Sequence, residues 1–458
     1  MPLPAAGRPA ATVYGWLDAM RSADAPATGQ RAWAHTAGSG LPDVGAVAAR
    51  AAAAYAAAGP DPVTFPSLRK LEYDVVGAVA DLLGGGQETP GAFTHGAAEA
   101  ILLAMRAARD AAPGGPRLLR PQVVAPATAD PAFARAAGLL GMELTRVPVD
   151  PMTLRANPAA MAAAVTDRTV LLVASAPCGR YGVLDPVVEI ATLAAAYGLP
   201  CHVDAGSGGL LLPFARRLGL PVPPADLAVP GVTSMSVDLY GQGYAPRGAG
   251  VLLTPGTRPV RDRLLAPPGP ALAASWAVML HLGEEGYLEL ARRTLAATRA
   301  LAAGLTAVDG VALLVEPEAA VLAFTVETAD VFAVADGLRA RGWRLRPRLR
   351  HSGIPAHLRL PVTAAAERSI APFLADLAAE VAAAEAAGPP EPVDPALVAA
   401  AASLDPATAT DDQFAGLLAL SGLSGAGPDR TAPVNRLLDA LPPAVRARLR
   451  DDHLAVGP

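Results

Sequence analysis

The sequence predicts an α/β protein: a mainly parallel sheet with helices on both faces, then a smaller α+β unit and a helical tail. Three observations carry that prediction. From Pro121 to Val203, short apolar runs alternate with helix-forming runs. Asp204 closes one of those runs in His202-Val-Asp-Ala205, and a Gly-rich turn follows it. After Pro255 the alternation gives way to longer helices and separated strands.

Residues 1–60 read as helical, with helix formers over Ala11–Arg21 and Val44–Ala58. Pro60 to Pro66 forms an extended turn, because each proline biases its predecessor away from the α region. Ser67 is placed to cap a helix over Leu68–Leu83, whose Leu71, Val75, Val76, Val79, Leu82 and Leu83 form one stripe. Gly91 to Ala98 reads as a small-residue turn entering a helix over Glu99–Ala111. Such a turn can hold a phosphate by its backbone N–H groups, and it is also an ordinary way to join a strand to a helix.

Strands are expected at Gln122–Ala125, Glu143–Val149, Thr169–Ala174 and Cys201–Val203. Helices separate them at Pro131–Gly141, Asn157–Ala164 and Pro186–Tyr197. In such a sheet the site lies beyond the carboxyl ends of the strands. Ser175–Cys178, Asp204 and Ser234–Asp238 fall there.

Past Pro255, helices are expected at Ala271–Gly283, Tyr287–Ala303 and Val331–Arg341. Strands are expected at Val311–Val315, Val321–Val326 and Trp343–Leu349. An Ala-rich helix covers Ala364–Ala387, and the tail has an apolar stripe at Phe414, Leu417, Leu418 and Leu420, then a helix at Val434–Leu441. The expected division is an N-terminal helical segment (1–64), a large α/β domain (65–258), a small α+β domain (259–387), a Pro-rich linker (388–395) and a helical tail (396–458).

Composition narrows the function classes. The net charge of −5 leaves no basic footprint for nucleic acid. Arginines do cluster between Arg339 and Arg350, as a solvated strand edge, a domain interface or an anion-binding surface. Two cysteines, Cys178 and Cys201, make no disulfide framework, and the N-terminus lacks a signal-peptide pattern. No stretch reaches the ~20 apolar residues of a membrane span. A cytoplasmic protein with no metal site is expected.

Several ordered motifs identify a family resemblance. They are Phe65-Pro-Ser-Leu-Arg-Lys-Leu-Glu72, Gly182-Val-Leu-Asp-Pro186, His202-Val-Asp-Ala205 with Gly208-Gly209, Val229-Pro-Gly-Val-Thr-Ser-Met-Ser236, and Gly243-Tyr-Ala-Pro-Arg-Gly248. With Val124-Ala-Pro126, Phe133, Ala136-Ala137 and Leu282-Gly-Glu-Glu-Gly-Tyr287, they resemble the pyridoxal-phosphate-dependent sphingosine-phosphate lyases and group II decarboxylases over roughly residues 65–387. The resemblance implies a fold-type I architecture with a seven-stranded, mainly parallel sheet and a site built across a dimer. It implies pyridoxal phosphate as cofactor. The phosphate would rest on Gly96, Ala97 and Ala98. The ring would lie between Asp130 and Asp204, near Ser236.

Departures from the family pattern cluster at that cofactor site. The family's Schiff-base lysine falls on Gly241 and the His before it on Tyr240. Lys70 is the one lysine in the sequence, and it occupies a different motif. The ring-stacking His falls on Asp130, a hydroxyl of the phosphate turn is lost at Ala98, and the loop between Leu265 and Ala271 is short. Asp204 is retained, as the ring-nitrogen partner or as a strand-end cap of the following turn. Two functions follow from these changes. One is a catalytically degenerate homologue acting as a homodimer, as the partner of an active paralogue or as a scaffold. The other is an enzyme of changed chemistry, binding pyridoxal phosphate noncovalently or another ligand in a cleft lined by His95, Asp130, Arg180, Tyr181, Asp204, Tyr240 and Gln242.

Overall fold

Four short strands, each buried along its whole length, make the centre of the molecule. A strand covered on both faces needs no polar alternation, which is why Thr169–Ser175 reads as one unbroken apolar segment. In the computed structural model the described residues are 3, 6–22, 24, 31, 33, 38–59, 61, 63–256, 267–405, 408–410, 412–413, 416, 431–443 and 445–446.

Helices α1 (Ala10–Arg21), α2 (Pro42–Ala54) and α3 (Pro66–Leu82) come first. The large sheet and its helices follow as β1 (Gly91–Thr94), α4 (Ala97–Ala111), β2 (Gln122–Pro126), α5 (Pro131–Leu140), β3 (Glu143–Val147), α6 (Pro158–Ala164), β4 (Thr169–Ser175), α7 (Val187–Ala196), β5 (Cys201–Asp204), α8 (Leu212–Arg217), β6 (Val232–Asp238) and β7 (Gly250–Leu253). The seven strands lie in the order β1-β7-β6-β5-β4-β2-β3. All run parallel except β7, which is antiparallel to both its neighbours.

The long helix α9 (Gly269–Thr306) leads to the small sheet of β8 (Val311–Leu313), β9 (Val321–Val326), β10 (Arg346–Arg348) and β11 (His357–Pro361), with α10 (Val331–Ala340) between β9 and β10. That sheet is antiparallel, in the order β10-β11-β9-β8. Then come α11 (Ile370–Ala387), α12 (Pro395–Ala402) and α13 (Ala432–Ala440).

The mainly parallel sheet with a smaller α+β layer agrees with expectation, while several local readings need correction. Helix α3 starts at Pro66, whose fixed φ suits a first helical turn, and Ser67 is not its cap. The expected turn at Gly91–Ala98 begins with strand β1, and helix α4 starts at Ala97. Strands β7 and β11 carry too little local pattern to be anticipated. The two expected helices after Pro255 form α9, broken at Gly283, where φ +57° and ψ −175° leave the helical region. Of Trp343–Leu349 only Arg346–Arg348 is strand; the Trp343 ring packs edge-on against Phe373 instead, with centroids 5.1 Å apart. The stripe at Phe414–Leu420 lies outside the described residues, and of the short loop before Ala271 only Ala266 does; Pro267 and Pro268 lead directly into α9.

The tail is fastened by charge. Arg436 donates to Asp330 at the start of α10 (2.6 Å), and Arg350 donates to the buried Asp439 of α13 (2.6 Å). Among the described residues, no helix is long and apolar enough to cross a membrane.

Candidate functional site

The carboxyl edge of the large sheet gathers most of the predicted residues. Asp204 ends β5 and is 8% exposed. Its Oδ1 accepts from the Gly206 amide (3.0 Å) and the Ser236 hydroxyl (3.2 Å). Adjacent parallel strands place His202 beside Ser234 and Asp204 beside Ser236. The His202 ring therefore bridges Ser234 Oγ (Nδ1, 2.8 Å) and Ser236 Oγ (Nε2, 3.1 Å). Burial holds His202 neutral, with its pKa pushed down to about 3. The roles of the two ring nitrogens follow the tautomer, and the arrangement in which Ser236 donates to an ionised Asp204 is this one. Nε2–H donates to Ser236, and Nδ1 accepts from Ser234.

Burial pushes Asp204 up to about 7, and the nearby charge of Asp130 adds to it. Asp238, at the end of β6, is raised to about 6, also chiefly by burial. Asp130 caps α5, accepting from the Ala132 amide at 2.7 Å.

Gly96, Ala97 and Ala98 form the N-terminal turn of α4, on the same edge. Gly96 has φ +90°, and a Cβ on Gly250 would stand 2.6 Å from its carbonyl carbon, so both positions need glycine. His95 does not open into the cleft as a free base. Its amide and its Nδ1–H both donate to Glu99 Oε2, at 2.7 and 3.0 Å.

The turn after β6 holds Tyr240, Gly241 and Gln242. The Tyr240 amide donates to Asp238 (2.9 Å), and the Arg247 guanidinium lies 4.4 Å from the centre of its ring. A Cβ built on Gly241 would meet nothing within 4 Å. Gln242 is buried and donates to Val362 O (2.8 Å), so it ties the turn to the segment after β11 instead of lining the cleft. Tyr181 also departs from expectation. It is buried beside His357, with ring centroids 5.4 Å apart, and burial pushes its hydroxyl up to about 12. Arg180 is half-buried, and its Nε has no partner.

Sequence reasoning missed the His202–Ser234 link and the role of Arg247. The first had a signal, since residues 202 and 204 share one strand face and 234 and 236 share the next. No group of three or more His, Cys, Asp or Glu side chains is arranged to hold a metal ion among the described residues.

Comparison with known proteins places this edge in a family. The pyridoxal-dependent decarboxylase conserved domain matches residues 52–237, and the model HTH_PLP, a C-terminal domain of pyridoxal-dependent enzymes, matches residues 395–449. Sphingosine-1-phosphate lyase of Dictyostelium discoideum is 35% identical over 65% of this chain and 60% of its own length. The rat sphingosine-1-phosphate lyase 1 is 34% identical over 62% of this chain and 52% of its own. The chain thus spans little more than half of these relatives. The "Probable L-tyrosine/L-aspartate decarboxylase" of Methanothermobacter thermautotrophicus is 32% identical, and 80% of it is covered. Among solved structures, sphingosine-1-phosphate lyase of Burkholderia pseudomallei superimposes with a TM-score of 0.77 at 29% identity, covering 84% of this chain and 93% of that one. Glutamate decarboxylase of Lactobacillus brevis, at 18% identity and a TM-score of 0.72, shares the fold. The chain belongs to the pyridoxal-phosphate-dependent family of group II decarboxylases and sphingosine-1-phosphate lyases, with the fold-type I architecture.

Proposed function

We propose that this chain is a catalytically degenerate member of its family, keeping the fold without a covalently held cofactor. The observation that carries the reading is Gly241, which stands where the family resemblance puts the lysine and has open space where its side chain would begin. Glycine has no amine to link to a cofactor. Lys70 is no replacement. It lies on α3, its ammonium is bound to Asp74, and its side chain is 71% exposed.

The residues present fit the two ends of pyridoxal phosphate and not its covalent anchorage. The N–H groups at the start of α4 suit a phosphate, and Asp204 suits the ring nitrogen. Asp130, at the stacking position, offers a carboxylate where a ring is needed. Pyridoxal phosphate, when bound, supplies an electron sink. What this chain contributes is a buried carboxyl at Asp204, oriented by Ser236 and His202. In this reading the protein works as a partner subunit or scaffold, as a homodimer or joined to a lysine-bearing paralogue.

The intact Ser234–His202–Ser236–Asp204 chain favours a second reading, changed chemistry on a noncovalently held ligand. Assays with added pyridoxal phosphate separate the two. Carbon dioxide release from amino acids and aldehyde release from a phosphorylated long-chain amine are both expected at buffer background. Turnover that scales with protein and is lost in Asp204→Asn would overturn the degenerate reading. Recovery of a lysine-bearing homologue in fixed ratio with the protein would support the heteromeric form.

A further inference from the structure

A cluster of four arginines and two neutral histidines lies at the same sheet edge, displaced toward its other side. Arg146 is on β3, Arg180 follows β4, Arg348 and Arg359 are on β10 and β11, and His351 and His357 lie between or on those two strands. Neither the Arg146 nor the Arg180 side chain makes a hydrogen bond or ion pair with any described residue. Arg180 Nε and His351 Nε2 are both shut away from solvent without an acceptor or donor. Burial lowers the pKa of Arg146, His351, His357 and Arg359, and the positive charge of Arg180 lowers each further. Arg180 is thus the common neighbour of the other four.

The Arg339–Arg350 run divides accordingly. Arg341 is neutralised by Asp376 and Glu380, and Arg350 by Asp439, as an interface between elements. The charge of Arg348 reaches Tyr181 and His357. Arg146 reaches the surface and Asp130 offsets part of the charge of Arg359, but Arg180 and His351 are half-buried, and their buried unpartnered nitrogens are unfavourable unless an anion joins them. Guanidinium forks match the oxygens of phosphate in pairs.

We propose that Arg146, Arg180 and His351, backed by Arg348 and Arg359, form an anion site that takes a phosphate group. It is distinct from the turn at Gly96: β1 and β4 are four strand spacings apart, roughly 19 Å, and β3 lies farther still. The proposal goes beyond the reading above, because it holds whether or not the cleft binds pyridoxal phosphate.

Calorimetric titration at pH 7 and low ionic strength, with inorganic phosphate and with glycerol 3-phosphate, tests it. Saturable one-to-one binding is expected, weakened at least ~10-fold in Arg180→Gln. It should be unchanged in Arg292→Gln, an exposed arginine of α9 paired with Glu289. Tighter binding of the ester would mark an organic phosphate as the ligand and equal binding the free ion, and either supports the site. No saturable binding by the wild type, or equal affinity in Arg180→Gln, overturns it. A second measurement guards against misfolding of the variant. Without added anion, Arg180→Gln should melt about 2 °C higher, because an unpaired cation is removed. Loss of a dimer in Arg180→Gln, with no phosphate binding by the wild type, would overturn the proposal in favour of neutralisation by a second protein chain.

Discussion

Strand β6 and the turn that leaves it adjoin, yet they are built in opposite ways. In the strand, Ser234 and Ser236 are buried, and both hydroxyls are engaged with His202. In the turn, Tyr240 and Gly241 are half-buried, and the space beside Gly241 is open. A buried polar chain is fixed by its own energetics, because removing one member strands the others without partners. Gly241 carries no such constraint, although Gln242 beside it is buried and bonded, so the residue at 241 can change with little cost to the fold. The frame of the site is therefore held by stability, while its reactive position is held only by function. On the proposed reading, that difference accounts for a chain that keeps HVDA and GVTS while carrying Gly241 where the family resemblance places the lysine.

The most drastic way to break the contrast is to fill the open position. Gly241→Lys should fold, with a melting temperature within about 2 °C of the wild type. It should also gain a borohydride-reducible visible band on incubation with pyridoxal phosphate. A variant that folds without gaining the band would show that the rest of the cradle has also lost its fit. Next is His202→Leu, which strands the buried Ser234 hydroxyl and takes one of two partners from Ser236, and it should cost about 2–4 kcal/mol in urea unfolding. A cost under ~1 kcal/mol would mean that the strand is no more constrained than the turn.

A pH series sharpens the contrast further. Asp204 titrates near 7 in the fold and near 3.8 unfolded, so the folded state holds the extra proton between those values. Its contribution is fully present below about pH 4 and is lost as the pH rises to about 7. Asp204→Asn removes this dependence. The variant's stability relative to the wild type should rise by about 3 kcal/mol between pH 4 and 7 and stay level above pH 8, read from unfolding midpoints. At the small end, Lys70→Ala breaks an exposed pair and should change stability by less than ~0.5 kcal/mol, with no effect on ligand binding.

Much of this was legible in the sequence, for reasons that follow the same division. The strands of the parallel core are continuous apolar runs, and their ends carry the site, so Asp204, Ser236 and the turns around them could be placed by pattern. The burial of Tyr181 and the Gln242–Val362 bond could not be read from the sequence, because a polar residue near a strand end gives no hint of which way it faces. The structure turns one into a small core and the other toward Val362. The cation cluster was out of reach for another reason. Arg146, Arg180 and Arg359 are far apart in sequence, and folding alone brings them together. The local arginine run that did stand out is largely neutralised by Asp376, Glu380 and Asp439.

The central claim is that this chain cannot hold its family's cofactor covalently. The most direct test is to incubate the wild-type protein with pyridoxal phosphate, reduce with borohydride and record the intact mass. The account predicts an unmodified chain, apart from trace labelling at Lys70 that scales with reagent excess. A stoichiometric adduct at one site, formed at low pyridoxal phosphate and quenched by unfolding, would contradict it.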